Sequence, residues 1–292
     1  MQDTDLLIAV TTHDEINLLS CLIARKASGC HAIARVRDPE YVSDLGFIRD
    51  ELGISMVINP ELSTARVVSR LIRFPSAIRV STFARGRIEL LDLKIPARVP
   101  PGRYGGLRGQ SAAPHGRAAV YGPPRRPDLY SQGRLHPARK RQHHGYHSAA
   151  RAERIFEKVG LPVKRISSAM LVGGGKISYF LAKILLDSGI SVKIIENKLE
   201  RCEALSEMLP HATIIYGDGT DRNLLDEEGL ATCEAFAALT GMDEENILLA
   251  LHAGRHSRAK LFTKVNRVNF EEVIASMPIG KVIRPQSRPP PS

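Results

Sequence analysis

The chain has 292 residues, of which 43% are apolar, so it is long enough for about two domains and apolar enough for an ordinary buried core. Its apolar stretches fall far short of the roughly 18 residues that span a bilayer, and its acidic start lacks the basic region of a signal peptide, so we expect a cytoplasmic protein without a membrane span. The net charge of +10 suggests a nucleic-acid binder, but residues 97–151 account for all of it and the rest is neutral.

The first 60 residues resemble a second stretch of the same chain, 229 residues further on. Residues 9–17 align with residues 238–246, and eight of the sixteen positions from 9 to 24 are identical in the two stretches. Such self-similarity predicts a duplicated unit. The first copy begins with a strand at 5–10, which aligns with the fourth strand of the second copy. We therefore expect the first copy to lack the glycine loop and ribose-binding acid of its nucleotide site.

A helix and a hairpin follow the first copy. An amphipathic helix is predicted over 61–73, ending before Pro75. Its apolar stripe consists of Leu62, Ala65, Val68 and Ile72. Two β-rich runs at 78–83 and 88–95 predict a hairpin about Arg85-Gly86. We expect this hairpin to begin a small β-rich lobe.

Residues 97–151 form a segment rich in Arg, Pro and Gly. Only five of its residues are Leu, Ile, Val or Phe, too few to offset the entropy lost on ordering the chain. We predict a mostly unfolded segment, which is either a genuine linker or the product of a shifted reading frame in a GC-rich message. His143, His144 and His147 have metal-ligand spacing for a helix, but a segment without fixed geometry makes a metal site improbable.

The second copy occupies residues 152–286 and alternates strands with helices. Strands are predicted at 168–172, 191–195, 212–216 and 235–239, with helices between them and after the last. This alternation predicts a doubly wound parallel sheet. The fold class is therefore α/β, with tandem Rossmann-like units, the first incomplete, and a partial β-rich lobe.

A glycine-rich turn joins the first strand of the second copy to its first helix. Gly173-x-Gly175-x-x-Ser178 is the dinucleotide-binding fingerprint with serine as its third small residue. The first glycine permits a tight turn, the second lets a phosphate approach the backbone, and the helix N-terminus presents free amides. Alone, the motif also fits a purely structural turn.

Glu196 strengthens the nucleotide interpretation, because it ends the second strand about 20 residues further on, where an acid accepts hydrogen bonds from ribose hydroxyls. A carboxylate there repels a 2′-phosphate, so NAD or an adenine mononucleotide is favoured over NADP. Two interpretations stay open for Asp218 and Thr220, which follow the third strand. They line the adenine side of the crevice, or they form a turn and a helix N-cap.

A Thr-x-x-Asp-Glu-x-Asn pattern recurs in both copies, beginning at Thr11 and at Thr240. In each copy it lies at the carboxyl end of a strand and opens a helix. It fits helix capping, since Thr12 and Glu15 have the spacing of a capping box. It also fits contact between Thr240 and a bound dinucleotide.

The cysteines and the remaining histidines show no catalytic or metal-binding spacing. The four cysteines form no CxxC pair, which is typical of reduced cytosolic thiols. His252 and His256 are four residues apart in a helical stretch and are expected on the helix surface. No Ser/His/Asp or Cys/His constellation stands out.

These motifs, Leu171–Gly175, Glu196, Gly217–Thr220 and the duplicated Thr-x-x-Asp-Glu-x-Asn, resemble the RCK/KTN nucleotide-binding domains of Trk-type potassium-uptake regulatory subunits. The resemblance covers about residues 1–96 and 152–286. It implies five segments: the C-terminal half of a first RCK nucleotide-binding domain (1–74), the start of its C-terminal lobe (75–96), the Arg/Pro/Gly-rich segment (97–151), a second nucleotide-binding domain (152–286) and a tail (287–292).

The resemblance also implies the roles of individual residues. Phosphates contact the glycine loop and the start of the following helix, ribose contacts Glu196, adenine lies near Asp218, and a nicotinamide or distal phosphate lies near Thr240. The implied cofactor-binding residues are Gly173, Gly174, Gly175, Lys176, Ile177, Glu196, Asp218 and Thr240. NAD is the expected cofactor, with NADH, ATP or ADP as alternatives, and neither a metal nor a catalytic residue is expected.

The family implies a non-enzymatic, homo-oligomeric subunit that lies peripherally on the cytosolic face of the plasma membrane. It would gate a potassium channel of Trk type, and the incomplete lobes favour a dimer over the family's ring. One rival is an NAD-dependent oxidoreductase, which needs a substrate domain with a positioned acid or base. The other is a nucleic-acid binder that uses the Arg-rich segment, and its affinity for nucleic acid would fall steeply with salt concentration. We expect neither.

Overall fold

The computed structural model describes residues 4–42, 44–73, 166–267, 274 and 276–285, together with the backbone of 77–83, 88–93 and 116–121. The chain divides into two compact units. Unit 1 contains Met1–Ile72 and Ile166–Pro289, and unit 2 contains Arg73–Arg165 and Pro290–Ser292. Both copies of the repeat therefore belong to unit 1.

In the first repeat, short parallel strands alternate with helices. Its elements are β1 (Leu6–Ala9), α1 (Asp14–Ser28), β2 (His31–Arg35), α2 (Pro39–Val42), α3 (Leu45–Glu51), β3 (Met56–Ile58) and α4 (Pro60–Arg73). The sheet order is β1-β2-β3, with Ile8 opposite Ile33 and Ile33 opposite Met56. Gly29, with a φ of 68°, ends α1 in the left-handed conformation, so the chain turns directly into β2.

Helix α4 forms where the apolar stripe predicts it. Pro60 begins the helix, where its missing N–H costs nothing, and Asn59 Oδ1 accepts a hydrogen bond of 2.8 Å from the amide of Leu62. Ala65, Val68 and Ile72 are buried as predicted, whereas Leu62 is half-buried. The predicted helix is thus confirmed, with one of its four stripe residues at the edge of the buried face.

The second repeat contains a six-stranded parallel sheet. Its elements are β7 (Ser168–Val172), α5 (Lys176–Leu186), β8 (Ser191–Glu196), α6 (Leu199–Met208), β9 (Thr213–Tyr216), α7 (Arg222–Glu227), β10 (Ala235–Ala238), α8 (Asp243–His256), β11 (Lys260–Lys264) and β12 (Lys281–Ile283). The strand order is β12-β11-β10-β7-β8-β9, and all pairs are parallel. The reversal of order at β7 creates a crevice at the carboxyl ends of the strands. The predicted α/β fold with parallel sheets is confirmed.

The two repeats differ at one sheet edge. Strand β10 pairs with both β7 and β11, whereas its equivalent β1 pairs with β2 and has no second neighbour among the described residues. Leu6, Ile8 and Val10 are each about half exposed, because nothing in the described part of the chain covers their face of the sheet. Their equivalents in the second repeat, Ala235, Ala237 and Leu239, are buried.

Unit 2 contains an antiparallel sheet of strands β4 (Ala77–Phe83), β5 (Ile88–Leu93) and β6 (Gly116–Tyr121), in the order β4-β5-β6. The predicted hairpin is confirmed, with Phe83 opposite Ile88. Strand β6 lies within the segment that composition predicts to be mostly unfolded. It pairs with β5 in full register, from Ile88 opposite Tyr121 to Leu93 opposite Gly116. The rest of 97–151 lies outside the described residues, and its disorder stays a prediction.

The helices of the described part of the chain are short. The longest of them, α1, has 15 residues. Within those residues, no helix combines the length and apolar character that crossing a bilayer requires.

Candidate nucleotide-binding site

The glycine loop of residues 173–175 connects β7 to α5 at the crevice. Gly173 has a φ of 95°, and a Cβ atom there would lie 2.9 Å from the backbone nitrogen of Thr240. Both the conformation and the space therefore require glycine at this position. At Gly175, by contrast, a Cβ atom would meet no atom within 4 Å. The open space beside Gly175 is where a phosphate can approach the backbone.

Gly174 joins the loop to the acid at the end of β8. Its amide donates a hydrogen bond of 2.6 Å to Glu196 Oε2, and the amide of Lys198 donates one of 2.9 Å to Oε1. A Cβ atom on Gly174 would lie 2.7 Å from Leu205 and 2.9 Å from Glu196 Oε2. The missing side chain thus allows the carboxylate to lie directly against the loop. The structure brings the predicted ribose acid and the predicted phosphate loop together.

Ser178 replaces the third glycine of the fingerprint without disturbing the turn. Its side chain is fully buried, and its hydroxyl donates a hydrogen bond to the carbonyl of Gly173. A buried hydroxyl without a partner would be costly, and this bond removes that cost. The substitution therefore holds the turn closed from the first turn of the helix.

The N-terminus of α5 offers unoccupied donors to a ligand. Gly175 is the N-cap, with an extended conformation and no side chain to bond the first-turn amides. The amide groups of Lys176 and Ile177 lie in that first turn, where no carbonyl of the helix can reach them. Free amides of this kind, together with the partial positive charge of a helix end, favour a nearby anion.

The loop after β9 packs against the same end of the sheet. A Cβ atom on Gly219 would lie 2.2 Å from Val172 Cγ1, the last residue of β7, so this loop crosses close to the glycine turn. Asp218 Oδ1 accepts hydrogen bonds of 2.8 Å from both the amide and the hydroxyl of Thr220, and these bonds hold the pKa of Asp218 below its ordinary value. Asp221, not Thr220, caps α7, through a bond from the Asn223 amide.

The duplicated motif forms the same hydrogen-bond network in both repeats. In the second repeat, Asn246 Oδ1 accepts from the Thr240 amide at 2.8 Å, and Nδ2 donates to the carbonyls of Thr240 and Lys264 at 3.3 and 3.1 Å. In the first repeat, Asn17 makes the equivalent bonds to Thr11 and Arg35. Both asparagines are fully buried. Each asparagine thus links the carboxyl ends of two neighbouring strands by hydrogen bonds.

The aspartate of the motif fastens the chain that leaves the next strand. Asp243 accepts from the amides of Asn266 and Arg267 at 2.8–2.9 Å, and Asp14 Oδ2 accepts from those of Arg37 and Asp38 at 2.7–2.8 Å. The capping box suggested by the spacing of residues 12 and 15 does not form. The N-caps of α1 and α8 are His13 and Met242, which make no side-chain cap bond. The motif is thus structural in both repeats, and Thr240 additionally abuts the glycine loop.

Two charged residues that the sequence interpretation missed lie at the glycine loop. Arg201, in the first turn of α6, donates from Nε to the carbonyl of Gly174 at 2.7 Å. Asp38, which follows β2 of the first repeat, accepts a hydrogen bond of 3.0 Å from Lys176 Nζ. Asp38 and Lys176 are 138 positions apart in the sequence, so no local pattern could reveal this contact.

The environment of Asp38 favours its ionised form. Burial opposes ionisation, but the hydrogen bonds from the Glu40 amide and Lys176, together with the charges of Lys176 and Arg201, outweigh it. The pKa of Asp38 therefore lies below its ordinary value. An acid of the first repeat thus lies, ionised, beside the phosphate loop of the second.

The other polar groups considered from the sequence are cysteines and histidines, some of which lie outside the described residues. The four cysteines are free thiols, and burial raises the pKa of Cys233 to about 11. Across the described residues, no group of three or more His, Cys, Asp or Glu side chains could hold a metal ion. His256 Nδ1 lies 2.9 Å from the carbonyl of His252 on α8. The histidines at 143, 144 and 147 lie outside the described residues.

Comparison with known proteins identifies the family. The TrkA-N domain model matches residues 1–60 and 169–285. The chain is 32% identical, over 98% of its length, to the Trk system potassium uptake protein TrkA homolog of Archaeoglobus fulgidus and to the Trk system potassium uptake protein TrkA of Halomonas elongata. It spans 65% and 63% of the lengths of these two relatives.

The fold is also similar to solved structures. The GsuK channel matches 96% of the chain with a TM-score of 0.65, and the GsuK channel bound to NAD does so with a TM-score of 0.62; 49% of each of those chains is covered. At 15% and 16% identity, this likeness concerns the fold alone. The family model, in contrast, covers more than half of the sequence, and the predicted resemblance is confirmed: the chain belongs to the TrkA-N domain family.

Proposed function

We propose that this chain is a cytoplasmic nucleotide-sensing regulatory subunit of a Trk-type potassium-uptake system. The observation that carries the proposal is the Glu196 carboxylate, bound at 2.6 Å to the amide of Gly174, beside the open space at Gly175. An acid at the second strand and free amides at a helix N-terminus are the two halves of a dinucleotide site. The names of the relatives, which are potassium uptake proteins, support the physiological setting.

The ligand we propose is NAD, with NADH, ATP or ADP as alternatives. GsuK has been solved bound to NAD and bound to ADP, which supports an adenine nucleotide with a diphosphate. In this chain the residues proposed to hold it are the loop and helix start, the ribose acid, and two residues at the crevice rim: Gly173, Gly174, Gly175, Lys176, Ile177, Glu196, Asp218 and Thr240. Glu196 disfavours NADP, since a carboxylate and a 2′-phosphate repel each other.

The proposed role is conformational and needs no chemistry on the nucleotide. A ligand that binds one conformation better than another shifts the equilibrium toward it, and a coupled membrane channel then responds. The protein would act as a homo-oligomer, peripheral to the membrane, beside a Trk-type channel subunit. An oxidoreductase would instead need an acid or base aimed at a substrate, and no feature of the described crevice favours one.

We propose the domain organisation that follows from the family. Residues 1–74 are the C-terminal half of a first RCK nucleotide-binding domain, and 152–286 are the second. Residues 75–96 begin the β-rich lobe of the first domain. One nucleotide per chain is then expected, because the described part of the first repeat contains no glycine loop.

Isothermal titration of the protein with NAD and with ADP tests the site. We expect one nucleotide per chain, and we expect Glu196→Ala to weaken binding by about 1–3 kcal/mol, because charge-assisted hydrogen bonds to ribose are lost. Glu200→Ala removes the same charge from the exposed first turn of α6 and should leave the affinity unchanged. Equal affinities of the Glu196 variant and the wild type would contradict the proposed site.

The regulatory role needs a separate assay. The protein would be combined with a Trk-type channel in vesicles, and potassium flux would be measured with and without nucleotide. We expect the flux to depend on both the chain and the nucleotide. A flux that is the same with and without the chain, at saturating NAD or ADP, would contradict the role while leaving the binding site intact.

A further inference from the structure

We propose that Asp38 of the first repeat lowers the affinity of the second repeat's site for the diphosphate of a nucleotide, because its carboxylate occupies the ammonium group of Lys176. This inference rests on the proposed nucleotide site. Asp38 is then an affinity-determining residue that the neighbouring repeat supplies.

Two cations and two anions contact the glycine loop or one another. Lys176 and Arg201 are the cations, and Glu196 and Asp38 are the anions. A bound diphosphate adds at least two negative charges beside the same two cations. With Asp38 still ionised, the excess negative charge at the loop disfavours binding.

Glu196 and Asp38 differ in the groups that donate hydrogen bonds to their carboxylates. Both oxygens of Glu196 accept backbone amides, at 2.6 and 2.9 Å, so its position is fixed by the loop and the next turn. Asp38 accepts from Lys176 Nζ at 3.0 Å and from the Glu40 amide at 3.1 Å. Its contact with the loop is therefore made through the lysine side chain.

Lys176 is within reach of a phosphate. It directly follows Gly175, beside which a Cβ-sized space is free, and its side chain is 37% exposed in the contact with Asp38. A phosphate at the helix N-terminus would therefore meet an ammonium group that already carries a carboxylate. Phosphate and carboxylate compete for the same donors.

The acid is specific to the first repeat. The equivalent position in the second repeat, 229 residues further on, is Arg267, which pairs with Glu244 of its own repeat at 3.6 Å. The contact is thus not a general feature of the duplicated unit. By reciprocity of linked equilibria, a diphosphate that weakens the Asp38–Lys176 contact also loosens this point of contact between the repeats.

Isothermal titration with ADP and with adenosine, which lacks phosphates, tests the inference. Asp38→Asn removes the charge but keeps an oxygen for the Glu40 amide, so the fold should be preserved, as a thermal melt would show. We expect this variant to bind ADP about 3- to 10-fold more tightly than the wild type and adenosine with unchanged affinity. Asp50→Asn is the charge-matched control, because Asp50 pairs with Arg49 on the exposed surface of α3.

The double variant shows whether Lys176 transmits the effect. Lys176→Met should weaken ADP binding, and adding Asp38→Asn in that background should give little further change. If the wild type binds ADP and Asp38→Asn binds it equally well, or if adenosine affinity rises to the same extent, the inference is wrong and the site stands. If the wild type binds neither ADP nor NAD, the proposed function is wrong, and this inference with it.

Discussion

Two glycines of one short loop have different physical roles. Gly173 is needed by the fold, since its φ is positive and the backbone of Thr240 leaves no room for a Cβ atom. Gly175 has ordinary dihedral angles for any residue, with a φ of −68°, and open space where a side chain would project. The fingerprint predicts a turn at the first glycine and a phosphate approach at the second, and the structure adds the steric difference between the two positions.

Alanine substitutions should reveal this difference. Gly173→Ala should destabilise the protein by about 1–3 kcal/mol, because of a strained conformation and a contact that must shift. Gly175→Ala should leave the unfolding free energy nearly unchanged and weaken nucleotide binding at least about tenfold, because the methyl group enters the proposed phosphate position. Urea denaturation and titration with ADP measure the two effects. Equal stability losses in the two variants would contradict the assignment.

At the scale of elements, sequence periodicity predicted β1 and α4 of the first repeat, and four strands of the second repeat with the helices that follow them. Strand β7 begins and ends at the predicted residues, and α4 begins one residue earlier than predicted, at Pro60. These elements depend on local patterns of apolar side chains, which a sequence displays directly. The glycine loop and Glu196 were predictable for the same reason, since one βαβ unit contains both.

Features that depend on distant residues were not predictable in this way. Residues 12 and 15 have capping-box spacing, yet the buried Asn17 bonds the strand ends instead and the box does not form. Strand β6 was hidden by composition averaged over a long segment, because the free edge of β5, not an apolar pattern, selects it. The Asp38–Lys176 contact likewise joins two repeats that are far apart in the chain.

The cap of α7 provides a test at this scale. Asp221 accepts a bond of 2.9 Å from the Asn223 amide, so Asp221→Ala should cost about 1 kcal/mol of unfolding free energy. Thr220→Ala is the matched control, because Thr220 bonds Asp218 and not the helix amides. It should cost less than about 0.5 kcal/mol. The reverse order of the two losses, measured by urea denaturation, would favour the Thr220 cap, which is one of the two interpretations that the sequence left open.

At the scale of the whole molecule, a lysine links the first repeat to the sheet of the second. Lys260 begins β11, and its Nζ donates a hydrogen bond of 2.8 Å to the carbonyl of Leu71, near the end of α4. Burial, and to a lesser extent the charge of Lys281, lower the pKa of Lys260 to about 8. The bond between the repeats is therefore made by an ammonium group that the fold partly desolvates.

The lowered pKa of Lys260 makes the stability of the protein depend on pH in a direction that can be measured. Between about pH 8 and pH 10.5 the unfolded chain keeps the Lys260 proton and the folded chain releases it. The free energy of unfolding therefore rises with pH across this window, and this added stability is lost as the pH falls through 8. From about pH 7 to about pH 10, the free energy of unfolding of the wild type should rise by about 1 kcal/mol relative to that of Lys260→Met. This is less than the full pKa shift implies, because the ammonium group is partly solvated. Urea denaturation of both proteins at about pH 7 and pH 10 gives the difference. A constant difference would contradict the shift.

Among the described residues, one side of β1 has no neighbouring strand, which affects how the chain behaves in concentrated solution. Backbone groups along that side, and the half-exposed Leu6, Ile8 and Val10 beside them, offer a template on which another strand can add. In the second repeat, β7 pairs with the equivalent side of β10. Strand addition at this edge of the first repeat should therefore limit the concentration at which the chain stays in solution.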